Sequence, residues 1–364
     1  MAEQPAMACV HQFLAKVRQC LEGHGAERRR LHNECRVAAI ICPIVSFGYH
    51  MDTLSRLLSL YTIRTSLDIR CELAAPWVLD EPAATPGVAP FHVIVEGAAR
   101  VDVPGHATLD LAPGDVVVFP ASSAHRLHAG PATDAAPVRP LAADGPLQRM
   151  GNGGAGPGTA ILCGSFVFEG AARQALVRAL PDVMVVRASR ADDFPGLHAL
   201  VRLLQHETTS VRPGGDVVVA QLSGALFALL LRAWLAGTDG TAPGLFAVLA
   251  DRRLGNALAR MLESPERAWK VEDLAEACHM SRATFARLFA RLCGMPPADV
   301  LTQLRMARAA RALLHGEGAV GDVALAVGYQ SEAAFNRVFK RHYGVGPGGY
   351  RRAARAPAPE AVAA

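Results

Sequence analysis

Residues 271–297 read VEDLAEACHMSRATFARLFARLCGMPP, and residues 320–347 read VGDVALAVGYQSEAAFNRVFKRHYGVGP. The second stretch repeats the first. Ser281, Phe285, Arg287, Phe289, Arg291, Gly294 and Pro297 recur fifty residues on as Ser331, Phe335, Arg337, Phe339, Arg341, Gly344 and Pro347. Upstream of each serine the offset is forty-nine: Val271, Asp273, Leu274, Ala275 and Ala277 match Val320, Asp322, Val323, Ala324 and Ala326. One extra residue therefore sits in the second turn. An internal repeat of this kind is one supersecondary unit used twice, and the unit reads as a helix-turn-helix.

In the first unit, Val271 to Cys278 makes a short helix and His279-Met280 the turn. Ser281 then caps the next helix, its hydroxyl satisfying an orphan N–H. Phe285, Leu288 and Phe289 fall at helical spacing and anchor that helix inward. Positions 282, 283, 286, 287 and 290 face out, so Arg282 and Arg287 project from the exposed side. In the second unit Gly328-Tyr329 form the turn, Ser331 caps, and Phe335, Val338 and Phe339 anchor. Glu332, Ala333, Asn336, Arg337 and Lys340 face out. A helix presented this way enters the major groove by its N-terminal half. Arg is suited to guanine, Asn to adenine and Glu to cytosine N4, whereas Lys340 and Arg341 are placed for phosphate. Between the units, Ala298 to Leu314 reads as one helix with Leu301, Leu304, Ala307 and Leu313 inward. At 1.5 Å per residue it spans roughly 25 Å, compatible with recognition helices about one DNA turn apart.

Charge supports a polyanion partner at this end only. Residues 251–355 carry 17 Arg or Lys against 10 Asp or Glu, a surplus of +7, while residues 1–250 carry 20 against 22, a balance of −2. The other features exclude rather than assign. The eight cysteines form no CxxC pair and no disulfide-like spacing, which fits a reducing, cytoplasmic setting. The most apolar run, Val217 to Ala236, contains Gln221, Ser223 and Arg232. It reads as a buried or interface helix rather than the cleanly apolar run of about 20 residues that spans a membrane.

Residues 1–50 read as a detached leader, either an upstream start assignment or a helical arm around Val10 to Leu21; Met51 and the amphipathic run Leu54, Leu57, Leu58 and Tyr61 make a plausible beginning. Short strands are expected at Cys71–Leu73, Phe91–Val95, Ala99–Val103, Val116–Phe119, Ile161–Phe168 and Val183–Val186, the signature of a sandwich or barrel. Residues 130–159, rich in Pro, Gly and Ala, read as loop. From Phe194 the pattern turns helical, with Leu197, Leu200, Val201, Leu203 and Leu204 on one face and Leu222, Leu226, Leu229 and Leu230 on another.

On these residues, 251–352 resembles the AraC-type DNA-binding domain. The second unit carries the most specific stretch: Gly328-Tyr329, Ser331, Phe335, Phe339, Gly344, Pro347, Tyr350 and Arg351. Two departures are Gly346, where Ser or Thr is usual, and Cys278-His279, where the second residue is usually Gly. By resemblance, Ala283, Ala286 and Arg287 are the first groove-facing set, and Glu332, Ala333, Asn336 and Arg337 the second. Residues 51–187 resemble the cupin-type sensor domain of one branch of that family. Gly114, Asp115, Pro120 and His125 keep the second cupin motif, and Phe91, His92, Glu96 and Gly97 form a reduced first motif. The cupin metal set is incomplete, with His128 or Cys163 as possible third donors.

The expected architecture is therefore α+β and multidomain: a cupin-like β-barrel with flanking helices, then an all-α domain with two helix-turn-helix units. Its segments are a leader (1–50), a sensor (51–190), a helical dimerisation segment (191–237), a linker (238–250), the DNA-binding domain (251–352) and a tail (353–364). The resemblance implies a homodimeric transcription activator acting on promoter DNA and RNA polymerase, controlled by a small molecule or chemical stress at a pocket of His92, His125 and Cys163. No metal, cofactor or catalytic residue is expected. The alternative is a metal-dependent cupin enzyme with a DNA-binding appendage, which needs a fully ligated metal with open positions.

Overall fold

Seven strands make the larger sheet of the N-terminal half, in the order β11-β6-β3-β10-β1-β9-β8. They are β1 (Ile63–Ala74), β3 (Val88–Glu96), β6 (Val116–Val118), β8 (Arg139–Pro140), β9 (Gln148–Gly151), β10 (Gly158–Phe168) and β11 (Met184–Val186). Four more, β2 (Trp77–Glu81), β4 (Ala99–Asp102), β5 (Leu109–Leu111) and β7 (His125–Ala129), form a sheet in the order β2-β7-β4-β5. The computed structural model describes residues 51–355 except Thr62, 143–146, 169–175, 188–193, 210–211, 239–241 and Glu317. The leader expected at 1–50 and most of the expected tail lie outside the described residues. From Thr53 onward the chain belongs to one compact unit.

Strand alternation sorts the larger sheet into two faces. Cys71, Leu73, Ile94, Val117 and Ile161 meet Trp77, Val101, Leu111 and Leu127 of the smaller sheet in one buried cluster, the barrel interior. Phe91, Val93, Val116, Leu162 and Phe166 point the other way, into a second cluster shared with the helices. Because both faces of β3 are covered, Phe91 to Ile94 are all buried rather than alternating with exposed residues.

Residues 130–159 are not the uniform loop their composition suggests. β9 pairs in parallel with β1, Gln148 opposite Ile69 and Met150 opposite Cys71. Just beyond it, Asn152 imitates a strand partner: its Oδ1 accepts the Ala74 N–H at 2.8 Å and its Nδ2 donates to the Ala74 carbonyl at 2.7 Å. A four-residue strand whose pairing energy comes from backbone and one amide leaves almost no apolar signal.

Helices α2 (Pro195–Glu207) and α3 (Gly215–Gly237) pack on the outer face of the sheet. Leu197, Leu200, Val201 and Leu204 form the buried stripe of α2, whereas Leu203, expected among them, is 50% exposed. It lies a further 100° round the helix from Leu204, off the narrow face that the sheet covers. α3 is long and apolar enough to cross a membrane by composition. Its Val219, Leu226, Phe227, Leu230 and Leu231 are instead buried in the shared core, with Leu222 and Leu229 half-buried against it.

The C-terminal half is helical: α4 (Gly244–Ala250), α5 (Leu254–Glu263), α6 (Val271–Ala277), α7 (Arg282–Cys293), α8 (Pro297–Leu314), α9 (Val320–Ala326), α10 (Glu332–Tyr343) and α11 (Pro347–Arg355). α7 and α10 end alike, on Gly294 and Gly344, both at φ 77°, with Pro297 and Pro347 opening the following helices. This is the Gly-stop, Pro-start arrangement that ends one helix sharply and begins the next. The first short helix of the described chain, α1 (Thr53–Ser59), lies against this half. Leu57 is fully buried, Arg56 reaches Glu263 at 3.7 Å, and Arg311 of α8 donates to the Ser59 carbonyl at 2.5 Å.

Candidate nucleic-acid interface and sensor cluster

Both recognition helices start on the expected serine. Ser281 Oγ accepts the Thr284 N–H at 3.3 Å, and Ser331 Oγ accepts the Ala334 N–H at 3.4 Å. Phe285 and Phe289 are fully buried beneath α7, Phe335 and Phe339 beneath α10. Those paired anchors orient the helices. Arg282, Ala283 and Arg287 are exposed on α7, as are Glu332, Ala333, Arg337 and Lys340 on α10; Ala286, Ala290 and Asn336 are half-buried at the edge of that face. α8, which joins the two units, has 18 residues, or roughly 27 Å at 1.5 Å each. Arg282 is not a free cation: its Nε lies 3.0 Å from Glu272 Oε1 on α6. The sequence reading missed Glu272, which lies ten residues upstream on a different helix.

Besides the extra residue in the second turn, the two turns carry different residues at one left-handed position. Gly328 has φ 85° and His279, its counterpart, φ 53°. A side chain in the left-handed region costs about 1–2 kcal/mol, although His tolerates it better than branched residues. His279 is exposed, so His279→Gly is expected to raise stability by roughly 0.5–1 kcal/mol. Urea denaturation at fixed pH checks this; an unchanged or lower midpoint would mean the turn carries no strain.

In the barrel, the three predicted pocket residues come together. His125 Nδ1 is 2.9 Å from the Ser123 carbonyl, His125 Nε2 is 2.8 Å from His92 Nε2, and His92 Nδ1 is 3.1 Å from Cys163 Sγ. A carbonyl only accepts, which assigns every tautomer in the chain. His125 donates from Nδ1, so its Nε2 accepts from His92, and His92 Nδ1 accepts from the Cys163 thiol. Phe119 stacks on His125 at 3.6 Å between ring centres. Cys71, which the sequence reading did not single out, completes the cluster. It sits on β1 diagonally across from Cys163, since Ile69 faces Cys163 and Cys71 faces Ile161. The strands around both cysteines were legible, but their pairing register was not.

Both histidines of the cluster are buried. His92 and His125 are 3% and 4% exposed. Burial, reinforced by the charge on His125, pushes His92 down to about 3; burial also lowers His125, against the Ser123 hydrogen bond. The Cys71 thiol's hydrogen bond and burial raise the Cys163 thiol well above its ordinary value. The sign for stability follows. Between pH 6.5 and about 3 the unfolded chain protonates His92 and the folded chain does not, so acid destabilises the fold. Lowering the pH from 7 to 5 is expected to cost roughly 2 kcal/mol through His92. Melting curves of wild type and His92→Gln measure it: the wild type should lose more stability on acidification than the variant.

The remaining cupin-motif residues do not converge here. Glu96 is exposed and lines an open groove with Arg70, Glu72 and Asn152. His128 occupies the opposite face of β7 from His125, 3.2 Å from Asp102, so it does not join the cluster as a third donor. Among the described residues no group of three or more His, Cys, Asp or Glu side chains has the arrangement of a metal site. The residues present do not fit the cupin set of histidines with a glutamate, because His92, His125 and Cys163 hydrogen-bond one another instead of facing a common point. Asp115 serves the fold, accepting the Ala112 N–H and the Arg187 guanidinium, each at 3.0 Å.

A cupin family model matches residues 52–236, and a helix-turn-helix domain model matches residues 274–353. The chain is 34% identical over 309 residues to the "RCS-specific HTH-type transcriptional activator RclR" of Escherichia coli (strain K12), covering 85% of this chain and 100% of that protein. It is 29% identical over 306 residues to the "HTH-type transcriptional regulator MtrA" of Neisseria gonorrhoeae, covering 83% and 98%. It is 31% identical over 307 residues to an AraC-like transcription regulator of Streptomyces lividans, covering 83% and 98%. The chain belongs to the AraC family of helix-turn-helix transcription regulators, in the branch that carries a cupin domain.

Proposed function

We propose that this protein is a transcription activator whose two recognition helices read different half-sites of a promoter and whose cupin domain senses thiol-oxidising stress. The observation that carries the first part is the pair of capped, Phe-anchored helices with Arg287 and Arg337 at the same exposed position. The other outward residues differ between units, so one scaffold presents two chemistries. Arg337→Ala is expected to weaken specific binding by about 1–3 kcal/mol and to relax a single base position. A gel shift at stated salt with competitor DNA tests it; unchanged binding would mean that α10 does not read bases.

The sensing reading rests on Cys71, Cys163 and His92. The barrel interior is filled by Trp77, Ile94, Val117, Phe119 and Leu127, all fully buried, which favours chemistry at the thiols over capture of a bulky ligand. A protonated, half-buried thiol is a slow nucleophile, so the cluster selects small, strong two-electron oxidants. In the proposed step the two thiols lose two protons and two electrons to the oxidant and form one S–S bond. His92 Nδ1 orients the Cys163 thiol through its hydrogen bond, and the two protons leave with the reduced oxidant. A diagonal strand pair sits near or beyond the usual Cα separation of a disulfide, so closure pulls β1 against β10. β1 is joined through Tyr61 to α1, which touches α5 and α8, giving oxidation a mechanical route to the DNA-binding half. That the Escherichia coli relative is a transcriptional activator supports activation. A second copy of the chain is proposed to cover Leu203, Val217 and Val218, the exposed apolar side chains of α2 and α3. RNA polymerase is the expected partner at the promoter, and the cytoplasm the expected compartment.

A further inference from the structure

We propose that Glu272 is a positioning residue for base recognition, holding Arg282 in the pose that reads a guanine in the first half-site. This rests on the reading of α7 as a groove-entering helix. Glu272 Oε1 lies 3.0 Å from Arg282 Nε as an ion pair, with both side chains largely exposed. With the carboxylate nearest Nε, the terminal Nη groups point past it, and end-on they match guanine O6 and N7. Arg282 is the first residue of α7, after the Ser281 cap, where a recognition helix meets base edges. An Arg tethered at Nε has fewer rotamers to lose when it binds, so the gain appears as discrimination at one base pair.

The repeat supplies a second, independent observation. The counterparts of Glu272 and Arg282 in the second unit are Gly321 and Glu332. Both members of the pair change together. Glu332 Oε2 lies 3.0 Å from the point a Cβ on Gly321 would occupy, so the glutamate fills the space that position 272 uses in the first unit. A second carboxylate at 321 would repel it. The same site thus carries a tethered donor in one unit and a lone acceptor in the other, suited to guanine and to cytosine N4 respectively.

The test is selection from a randomised duplex pool with the full-length chain, followed by affinity measurements on the selected duplex and its single-base variants. Glu272→Gln should reduce guanine preference at one base pair by about three- to tenfold while raising affinity for random DNA, because a negative charge facing phosphates is gone. In an Arg282→Ala background, Glu272→Gln should change nothing further at that base pair. A purely structural ion pair would instead weaken binding evenly across sequences; that result, or full guanine preference in Glu272→Gln, overturns the proposal. The underlying reading fails separately, if Arg287→Ala and Arg337→Ala leave the selected motif unchanged. Exposed pairs contribute little to stability, and urea midpoints of the variants verify that they fold.

Discussion

Gly328→Ala is expected to destabilise the second helix-turn-helix by roughly 3 kcal/mol or more and to abolish specific DNA binding. Gly328 sits at φ 85°, and a Cβ there would lie 2.4 Å from the Glu266 carbonyl oxygen and 3.0 Å from Arg305 Nη2. Those atoms have little room to yield. Arg305 reaches from α8 to the Pro265 carbonyl at 2.7 Å and to the Arg267 carbonyl at 3.0 Å, pinning the loop against the turn. The substitution therefore combines left-handed strain with overpacking. Since native domains hold only about 5–15 kcal/mol in total, the loss should be visible as a lowered urea midpoint together with failure to bind the selected duplex. Gly346→Ala is the control, because a Cβ there meets nothing within 4 Å. Wild-type melting of Gly328→Ala would show that the turn can relax and that the contact with Glu266 is unimportant.

The second large effect concerns the thiols. Treating the full-length protein with stoichiometric hypochlorite is expected to change its affinity for the selected duplex by roughly 5- to 150-fold, the range of ordinary allosteric coupling. Cys71→Ser and Cys163→Ser should each abolish that change, and mass spectrometry of the wild type should find Cys71 and Cys163 joined with loss of two hydrogens. Cys278 and Cys293 are buried in the helical half, where burial pushes the Cys293 thiol up to about 11. Cys278→Ser and Cys293→Ser should respond like wild type. A Cys163→Ser protein that still responds would remove the barrel cluster from the sensing mechanism, while leaving the DNA-reading argument intact.

How much of this was legible from residues alone depended on the range of the interaction. Ser281 and Ser331 declare their caps because a cap is satisfied three residues away. Phe285, Phe289, Phe335 and Phe339 declare their faces because 3.6-residue periodicity is a local property. The α+β architecture, the two helix-turn-helix units and the outward positions of α7 and α10 were readable for that reason. β9 was hidden, since its pairing is carried by backbone groups and by the Asn152 clamp on Ala74, neither of which leaves a hydrophobic pattern. Leu203 was placed on the wrong side of α2 because composition cannot tell how wide a stripe the sheet will cover.

The functional residues divide the same way. The chain's own order of amino acids determined that a helical unit is used twice, which helix of each unit faces outward, and that Arg287 and Arg337 share one position. Tertiary structure decided everything that joins residues distant along the chain. It brought Cys71 beside Cys163 through the register of β1 against β10, and lined up two tautomer-locked histidines behind them. It turned His128 away from His125, left Glu96 outside, and set Glu272 against Arg282 across two helices. Covalent neighbours are related by the sequence itself, whereas these partners are related only by packing and strand register, which depend on every element at once.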